Sequence, residues 1–378
     1  MLAIGLMSGT SLDAVDVAVV EFAGDGCDLL HYQQFPIPDS LQSALKAVGP
    51  HTPIGQMLDL DAGVGALFAL CATEAIQACG VDPAKIGVVG SHGQTLLHSP
   101  QPATRNSLQV GDANRIAWAT RIRTVSDFRR MDMAAGGQGA PLAPAFHAWR
   151  FRSPQVTRVI INIGGIANIS ILPPRSEKAV CGFDTGPGNT LLDQWIQRHQ
   201  GMHFDHHGEW AASGSPNTEL LAALKSETYF GAAPPKSTGR DLFNLGWLEK
   251  LAGAVLNALP PADVQATLLE LTAGTIASAV ETHAHAAVEA FVCGGGAHNK
   301  RLMARMADLM TPVKVGSTDD LGIPPDAVEA MMIAWLAWCR VEGVPANLPS
   351  VTGAERPVLM GAIYEPLQKP QATSPKEK

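Results

Sequence analysis

Positive charge is scarce in this chain. Lys and Arg total 27 against 35 Asp and Glu, a formal net charge of −8. Binding to a phosphate backbone needs a basic surface, so a nucleic-acid partner is not expected. Long apolar runs are missing too. No stretch reaches the roughly 18 apolar residues of a membrane span, and none is expected. The opening Met1-Leu-Ala-Ile-Gly5 carries no basic segment and runs straight into an apolar strand, so it does not read as a signal peptide. Cys27, Cys71, Cys79, Cys181, Cys293 and Cys339 are scattered and form no CxxC pair. Buried free thiols in a reducing cytosol fit best, and a zinc site built from them does not.

The two common nucleotide motifs are also absent. Gly231-Ala-Ala-Pro-Pro-Lys-Ser-Thr238 resembles a Walker loop until Pro235 stands where glycine is needed, and no GxGxxG follows a strand and opens a helix. A nucleotide site here needs a different cradle. What is present is a large apolar fraction, 46% of 378 residues with 16% charged, enough to bury the cores of two ordinary domains.

Two short stretches look like copies of one device. Leu2 to Val20 and Val159 to Leu172 each read as an apolar strand, a tight turn of small polar residues and a second apolar strand. Turns of Gly, Ser and Thr expose N–H groups and hydroxyls that suit phosphate oxygens. Each hairpin is followed by a helical stretch (about Met57–Cys79 and Ala266–Val288). A strand then ends in a polar loop (Ile86–Gly90 before Ser91-His-Gly-Gln-Thr95, Ala290–Cys293 before Gly294-Gly-Gly-Ala-His-Asn299). A repeated order of this length predicts a pseudo-symmetric two-domain α/β protein with mixed sheets, and ligands at the carboxyl ends of strands. Met131 to Pro144, rich in Gly and Pro, reads as a crossing segment or binding loop. The boundary is placed there, giving 1–130 with 350–367 as the first domain and 131–349 as the second. The polar tail 368–378 reads as disordered.

Several motifs carry candidate chemistry. In Ser8-Gly-Thr-Ser-Leu-Asp13 three hydroxyls, a carboxylate and a glycine lie between buried strands, although a plain hairpin turn uses the same residue types. Asp13 or Asp16 could hold Mg²⁺ through water, since that ion keeps part of its hydration shell. Asp184 in Gly182-Phe-Asp-Thr-Gly-Pro-Gly188 precedes a turn and a helix starting near Asn189 or Thr190, and is the best candidate base; a capping Asp is its bland alternative. His92, Gln94 and Thr95 could read sugar hydroxyls or phosphate. Arg129 and Arg130 suit an anion, or an ordinary surface salt bridge. The His203-Phe-Asp-His-His207 cluster invites zinc but lies in loop sequence. His283 and His285 in one helix would not share a face.

Taken in order, these motifs resemble the anhydro-N-acetylmuramic acid kinase family of the actin-like sugar kinases. The matching stretches are Gly5–Asp13, Ser91–Thr95, Asp127–Arg129 with Gly136–Leu142, Asn162–Asn168, Phe183–Asn189, Lys236–Asp241, Cys293–Asn299 and Asp326–Ala330. Ala14 departs from an expected glycine. The resemblance implies a two-domain actin-like ATPase fold, a duplicated ribonuclease H-like α/β architecture with the active-site cleft between domains. It implies a cytoplasmic enzyme using ATP and Mg²⁺ in cell-wall (murein) recycling. That enzyme opens the 1,6-anhydro bridge of the amino sugar with water and phosphorylates O6.

By the same resemblance Asp184 activates the water. Gly9, Thr10, Ser11, Leu12, Asp13, Ala14, Val15 and Asp16 bind ATP phosphates, with Gly164, Gly165, Gly294, Gly295, Gly296 and Asn299 completing the nucleotide site. His92, Gln94, Arg129, Asn168 and Glu329 serve the sugar. Expected partners are the small amino sugar and, as an option left open, a second copy of the chain. The competing expectations are a catalytically silent actin-like nucleotide sensor and a metal hydrolase built on the His203 cluster.

Overall fold

The computed structural model describes residues 1–366 except 10–11, 25, 102, 104 and 175–178. The tail from Gln368 therefore lies outside the described residues. Contacts divide the chain into two units, Met1–Ala140 joined by the C-terminal part from Glu329, and the continuous Pro141–Val328.

In the first unit, β1 (Leu2–Met7), β2 (Ala14–Ala23), β3 (Gly26–Pro36) and β4 (Ile86–Ser91) form one sheet. A small separate hairpin follows, β5 (Gln94–Ser99) with β6 (Asn106–Val110), and then β7 (Thr124–Ser126) returns to the sheet. In the second unit, β8 (Thr157–Ile163), β9 (Ile166–Leu172), β10 (Cys181–Pro187), β11 (Ala287–Cys293) and β12 (Lys314–Ser317) form the other sheet. The last strand, β13 (Ala362–Tyr364), pairs antiparallel with β7.

Both sheets repeat one order. β3-β2-β1-β4-β7 and β10-β9-β8-β11-β12 each run as three antiparallel strands followed by two parallel ones. The shared order is the duplication that the repeated motifs predict. The parallel strands read as near-continuous apolar runs because helices cover them; Val159 to Ile161 of β8 are fully buried.

Helix Ile54–Cys79 packs on the first sheet. Leu60, Val64, Phe68, Ala72 and Ile76 recur every four residues, bury against β2 and β3, and give way at Gly80, whose φ of 70° sets a left-handed cap. By length and composition this helix is apolar enough to cross a membrane, yet one face is core.

Helix Val328–Glu342 was expected in the second domain. From Glu329 on it packs instead with the first unit, for a steric reason. A Cβ on Gly5 of β1 would collide with Ala330 O and come within 2.6 Å of Ala334 N. A Cβ on Gly90 of β4 would collide with Ile333 O. Glycine on the sheet and alanine on the helix let two backbones touch. Segment 131–140, expected to open the second domain, also belongs to the first unit. Asp132 is fully buried there, bonded to Gly139 N, Asn347 Nδ2 and Thr352 Oγ1 at 2.7–2.8 Å. The second long helix runs Pro261–His283; of residues 284–288, expected to be helical, 284–286 link to β11 and Ala287 and Val288 belong to it.

Candidate functional site

Residues 8–13 form the loop between β1 and β2, at the end of the first sheet. Thr10 and Ser11 lie outside the described residues. Around them the loop is tightly held. Leu12 takes φ 58°, a left-handed backbone rare for a branched residue, while its side chain is buried in the core. Gln42 Nε2 donates to Leu12 O at 2.6 Å, and Ile37 N donates to Asp13 O at 3.1 Å. Ser8 Oγ donates to Gln94 Oε1 at 2.7 Å, and Gln94 Nε2 reaches Gly9 O at 3.4 Å. Gln94 thus ties the loop in place from within the fold. A backbone fixed in a sparsely populated region beside Gly9 is the kind of strain found at ligand-binding turns.

Ala14, Val15 and Asp16 begin β2. Val15 points fully into the core, so only its backbone faces a ligand. Asp16 Oδ1 accepts from Tyr32 Oη at 2.6 Å and Gln34 Nε2 at 2.8 Å, across the β2–β3 pairing. Asp13 is the exposed carboxylate of the loop. No cluster of three metal-ligating side chains occurs among the described residues. A single exposed carboxylate still fits Mg²⁺, which binds through one or two carboxylates, water and substrate phosphates.

His92, Arg129 and Glu329 come together in the same unit. His92 follows β4 and is buried. Its Nδ1 donates to Gly93 O at 3.0 Å, and its Nε2 accepts from Arg129 Nη2 at 2.9 Å. Burial, with the Arg129 charge beside it, pushes its pKa down to about 3, so the ring is neutral. Both ring nitrogens are used internally, and His92 therefore orients Arg129. The guanidinium also donates through Nη1 to Gly139 O at 2.9 Å. Burial lowers its pKa to about 10, offset in part by the Glu329 carboxylate, and it stays charged at neutral pH. Arg130, the neighbouring candidate, pairs with Asp127 at 2.7 Å on the surface.

In the second unit the register builds a polar row across the sheet. Asn162 of β8 stands opposite Asn168 of β9, which stands opposite Asp184 of β10. Directly opposed residues share a face, so the three side chains line up. Asp184 was expected on a turn opening a helix; it sits inside β10, where a register shift follows it. Its Oδ2 accepts from Thr238 N at 2.9 Å, and Tyr229 Oη donates to its carbonyl at 2.8 Å. Burial pushes the carboxyl up to about 6, against the lowering pull of the Thr238 N–H. At neutral pH such a group is ionised yet basic enough to take a proton.

The β8–β9 turn is Gly164-Gly165. Its carbonyls are consumed from one side: Gly164 O accepts from Asn189 N at 2.8 Å, and Gly165 O accepts from Gly188 N and Thr190 N at 2.9 and 3.1 Å. The amides that open helix Thr190–Gln200 therefore hold the turn instead of a ligand. Gly294, Gly295 and Gly296 play unequal parts. A Cβ on Gly294 or Gly296 would strike Asn162 or Ile163, so these two glycines let the loop pack on the hairpin. Gly295 is exposed, with only Asn189 Nδ2 nearby at 3.9 Å, and leaves room for a ligand. Asn299 caps helix Lys300–Leu309 through Leu302 N at 3.0 Å. The His203–His207 loop packs beside this turn: His207 Nδ1 donates to His298 O at 3.0 Å, and the Asp205 carboxylate accepts from Trp210 N and Ala211 N.

Sequence reasoning assigned no role to Ser8, Asn162, Thr238 or Arg240, although each stands in a motif that it singled out or beside Gly9. Tyr229 has no sequence signal. It reaches Asp184 only because helix Thr228–Gly231 lies against β10.

A sequence profile of the family described as anhydro-N-acetylmuramic acid kinase matches residues 1–366. The chain is 48% identical over 366 residues to the anhydro-N-acetylmuramic acid kinase of Pasteurella multocida, with 96% of each chain covered. It is 46% identical over 363 residues to that of Coxiella burnetii, again with 96% of each covered. For the Vibrio cholerae protein of the same name the figures are 47% over 367 residues, 96% of this chain and 98% of the relative.

Proposed function

The chain belongs to the anhydro-N-acetylmuramic acid kinase family, and on that premise we propose how its own residues carry the reaction. It is a phosphotransferase of murein recycling that uses ATP on a small amino sugar. In the proposed reaction Asp184 takes a proton from water as the water oxygen attacks C1. The C1–O6 bond breaks, O6 attacks the γ-phosphorus, and ADP leaves with the electrons of the β–γ bridge bond. The products are N-acetylmuramic acid 6-phosphate and ADP.

One observation carries this reading. Asp184 is a half-buried carboxyl held in one orientation by Thr238 N–H, with its pKa at about 6. A general base works best near the operating pH and contributes roughly 10²–10⁴-fold. The rest is positioning and charge neutralisation, as in phosphoryl transfer generally.

In the first unit the strained loop around Gly9, Leu12 and Asp13 is proposed to contact phosphates, with Ala14 to Asp16 contributing backbone. Mg²⁺, when bound, neutralises phosphate charge, and Asp13 would hold it through water. In the second unit the Gly164-Gly165 turn and Gly295 are proposed as further phosphate contacts. A cavity of about 410 Å³ flanking helix Lys300–Leu309, lined by Asn217, Thr218, Leu221, Glu270, Arg301 and Arg305, is of the size and mixed character that suit a purine nucleoside. Arg129, set by His92 and faced by Glu329, and the Asn162–Asn168 row are proposed for the sugar.

The reaction is tested with ATP, Mg²⁺ and anhydro sugar in ¹⁸O-water. Label at C1 with phosphate on O6 is the expected product. Asp184→Asn should lose roughly 10²–10⁴-fold in turnover while binding ATP as before. Undiminished turnover in that variant removes Asp184 as the base, and phosphate release without a phosphorylated sugar sinks the coupled reaction.

A further inference from the structure

We propose that Arg240 is the cation that grips the nucleotide's phosphoryl oxygens at the Gly164-Gly165 turn. The assignment rests on the phosphate reading of that turn. It begins with what a side chain at Gly165 would meet. A Cβ there would lie 3.2 Å from Arg240 Nη2 and 3.3 Å from Nε. The guanidinium therefore lies against the turn, where a side chain at 165 would displace it by a few tenths of an ångström.

The charge of Arg240 is uncompensated. Its Nε is buried without a hydrogen-bond partner, and no carboxylate among the described residues pairs with the guanidinium. Arg115, Arg123, Arg130, Arg158, Arg198 and Arg305 each have an acidic partner within 3.4 Å. A buried, unpaired donor costs stability unless a ligand satisfies it. A planar fork of donors matches a phosphate bidentately. The carbonyls of Gly164 and Gly165 are already consumed by the amides of Gly188, Asn189 and Thr190, so fewer lone pairs oppose an anion there.

The backbone beneath Arg240 is anchored on both sides. Asn244 Nδ2 donates to Arg240 O and Asp241 O at 3.0 Å. Two residues earlier, Thr238 N–H holds the Asp184 carboxylate, and Asp184 N donates to Lys236 O at 3.2 Å. One loop, 236–241, thus carries a phosphate-gripping cation and a donor that orients the base. Arg240 stabilises charge on the phosphoryl oxygens as the β–γ bridge bond breaks.

The test is binding of ATP, ADP and adenosine to the full chain with Mg²⁺, by calorimetry, for Arg240→Gln, Arg240→Lys and Gly164→Ala. A methyl on Gly164 meets only Ile166 O at 3.8 Å, so that variant crowds the ligand side and spares the fold. Arg240→Gln is expected to weaken ATP and ADP roughly 10- to 100-fold, as loss of a charged hydrogen bond does. It should leave adenosine affinity unchanged and should not lower Tm, and Arg240→Lys should recover part of the loss. Equal weakening of adenosine makes the effect structural and overturns the assignment. Unchanged ATP affinity in Arg240→Gln, with weakened ATP in Gly164→Ala, overturns Arg240 alone. Unchanged ATP affinity in both removes the phosphate reading of the turn and the assignment with it.

Discussion

At Asp184 one burial event sets both chemistry and stability. Its pKa rises from an ordinary 3.8 to about 6 because the carboxylate gives up water for the interior of β10. The free-enzyme pH profile of kcat/KM is therefore expected to fall about tenfold per pH unit below about pH 6. A flat profile from pH 5 to 7 excludes Asp184 as the titrating base. The stability effect has the opposite sign. The folded chain holds this proton more tightly than the unfolded one, so stability drops as pH rises from about 4 to about 6. Asp184→Asn keeps an acceptor for Thr238 N–H and removes the charge. Its Tm should exceed that of the parent at pH 7.5 and match it near pH 4. A lower Tm at pH 7.5 contradicts the burial argument. His92 makes the complementary case. A histidine at a strand end looks like a ligand in sequence; in the fold both nitrogens are spent on Gly93 and Arg129.

At the scale of elements, the approach of helix Val328–Glu342 to β1 and β4 is the tightest packing decision in the first unit. Gly5 and Gly90 stand where backbone touches backbone, so no side-chain rotation relieves an added methyl. Gly5→Val and Gly90→Val should each cost more than about 4 kcal/mol, beyond ordinary overpacking. Gly55→Ala, in open space within helix Ile54–Cys79, should be neutral or stabilise by up to about 1 kcal/mol. Denaturant midpoints measure all three, and a loss below about 1 kcal/mol for Gly90→Val refutes the close-approach reading. The helix itself was plain from its run of apolar and small residues. Its partner was not, because wholly apolar helices carry no stripe that points to one neighbour.

At the scale of the whole molecule, the second unit is one continuous stretch, 141–328, and the first is not. The second unit holds its own sheet, β8 to β12, and a core running from Val159 to Met310. Residues 141–328 expressed alone should unfold cooperatively in urea. Residues 1–140 alone lack the helix that covers Gly5 and Gly90 and should not. A cooperative transition in 1–140 and none in 141–328 contradicts this division. The repeated hairpin–helix–strand order forecast two related halves, and the matching strand orders of the two sheets bear that out.

The sequence by itself determined the two long helical stretches, the two glycine-rich hairpins, the candidate base and the family. Each is written in short-range signals: apolar periodicity, turn residues and ordered motifs. The tertiary structure decided what each polar atom spends its hydrogen bonds on. It put Asp184 inside a strand beside Thr238, made Asn299 a helix cap and Gly294 and Gly296 packing positions. It left Arg240 unpaired over Gly165. Those outcomes depend on strand register and on which backbones come within 3–4 Å, which residues distant in sequence settle only when the chain is packed.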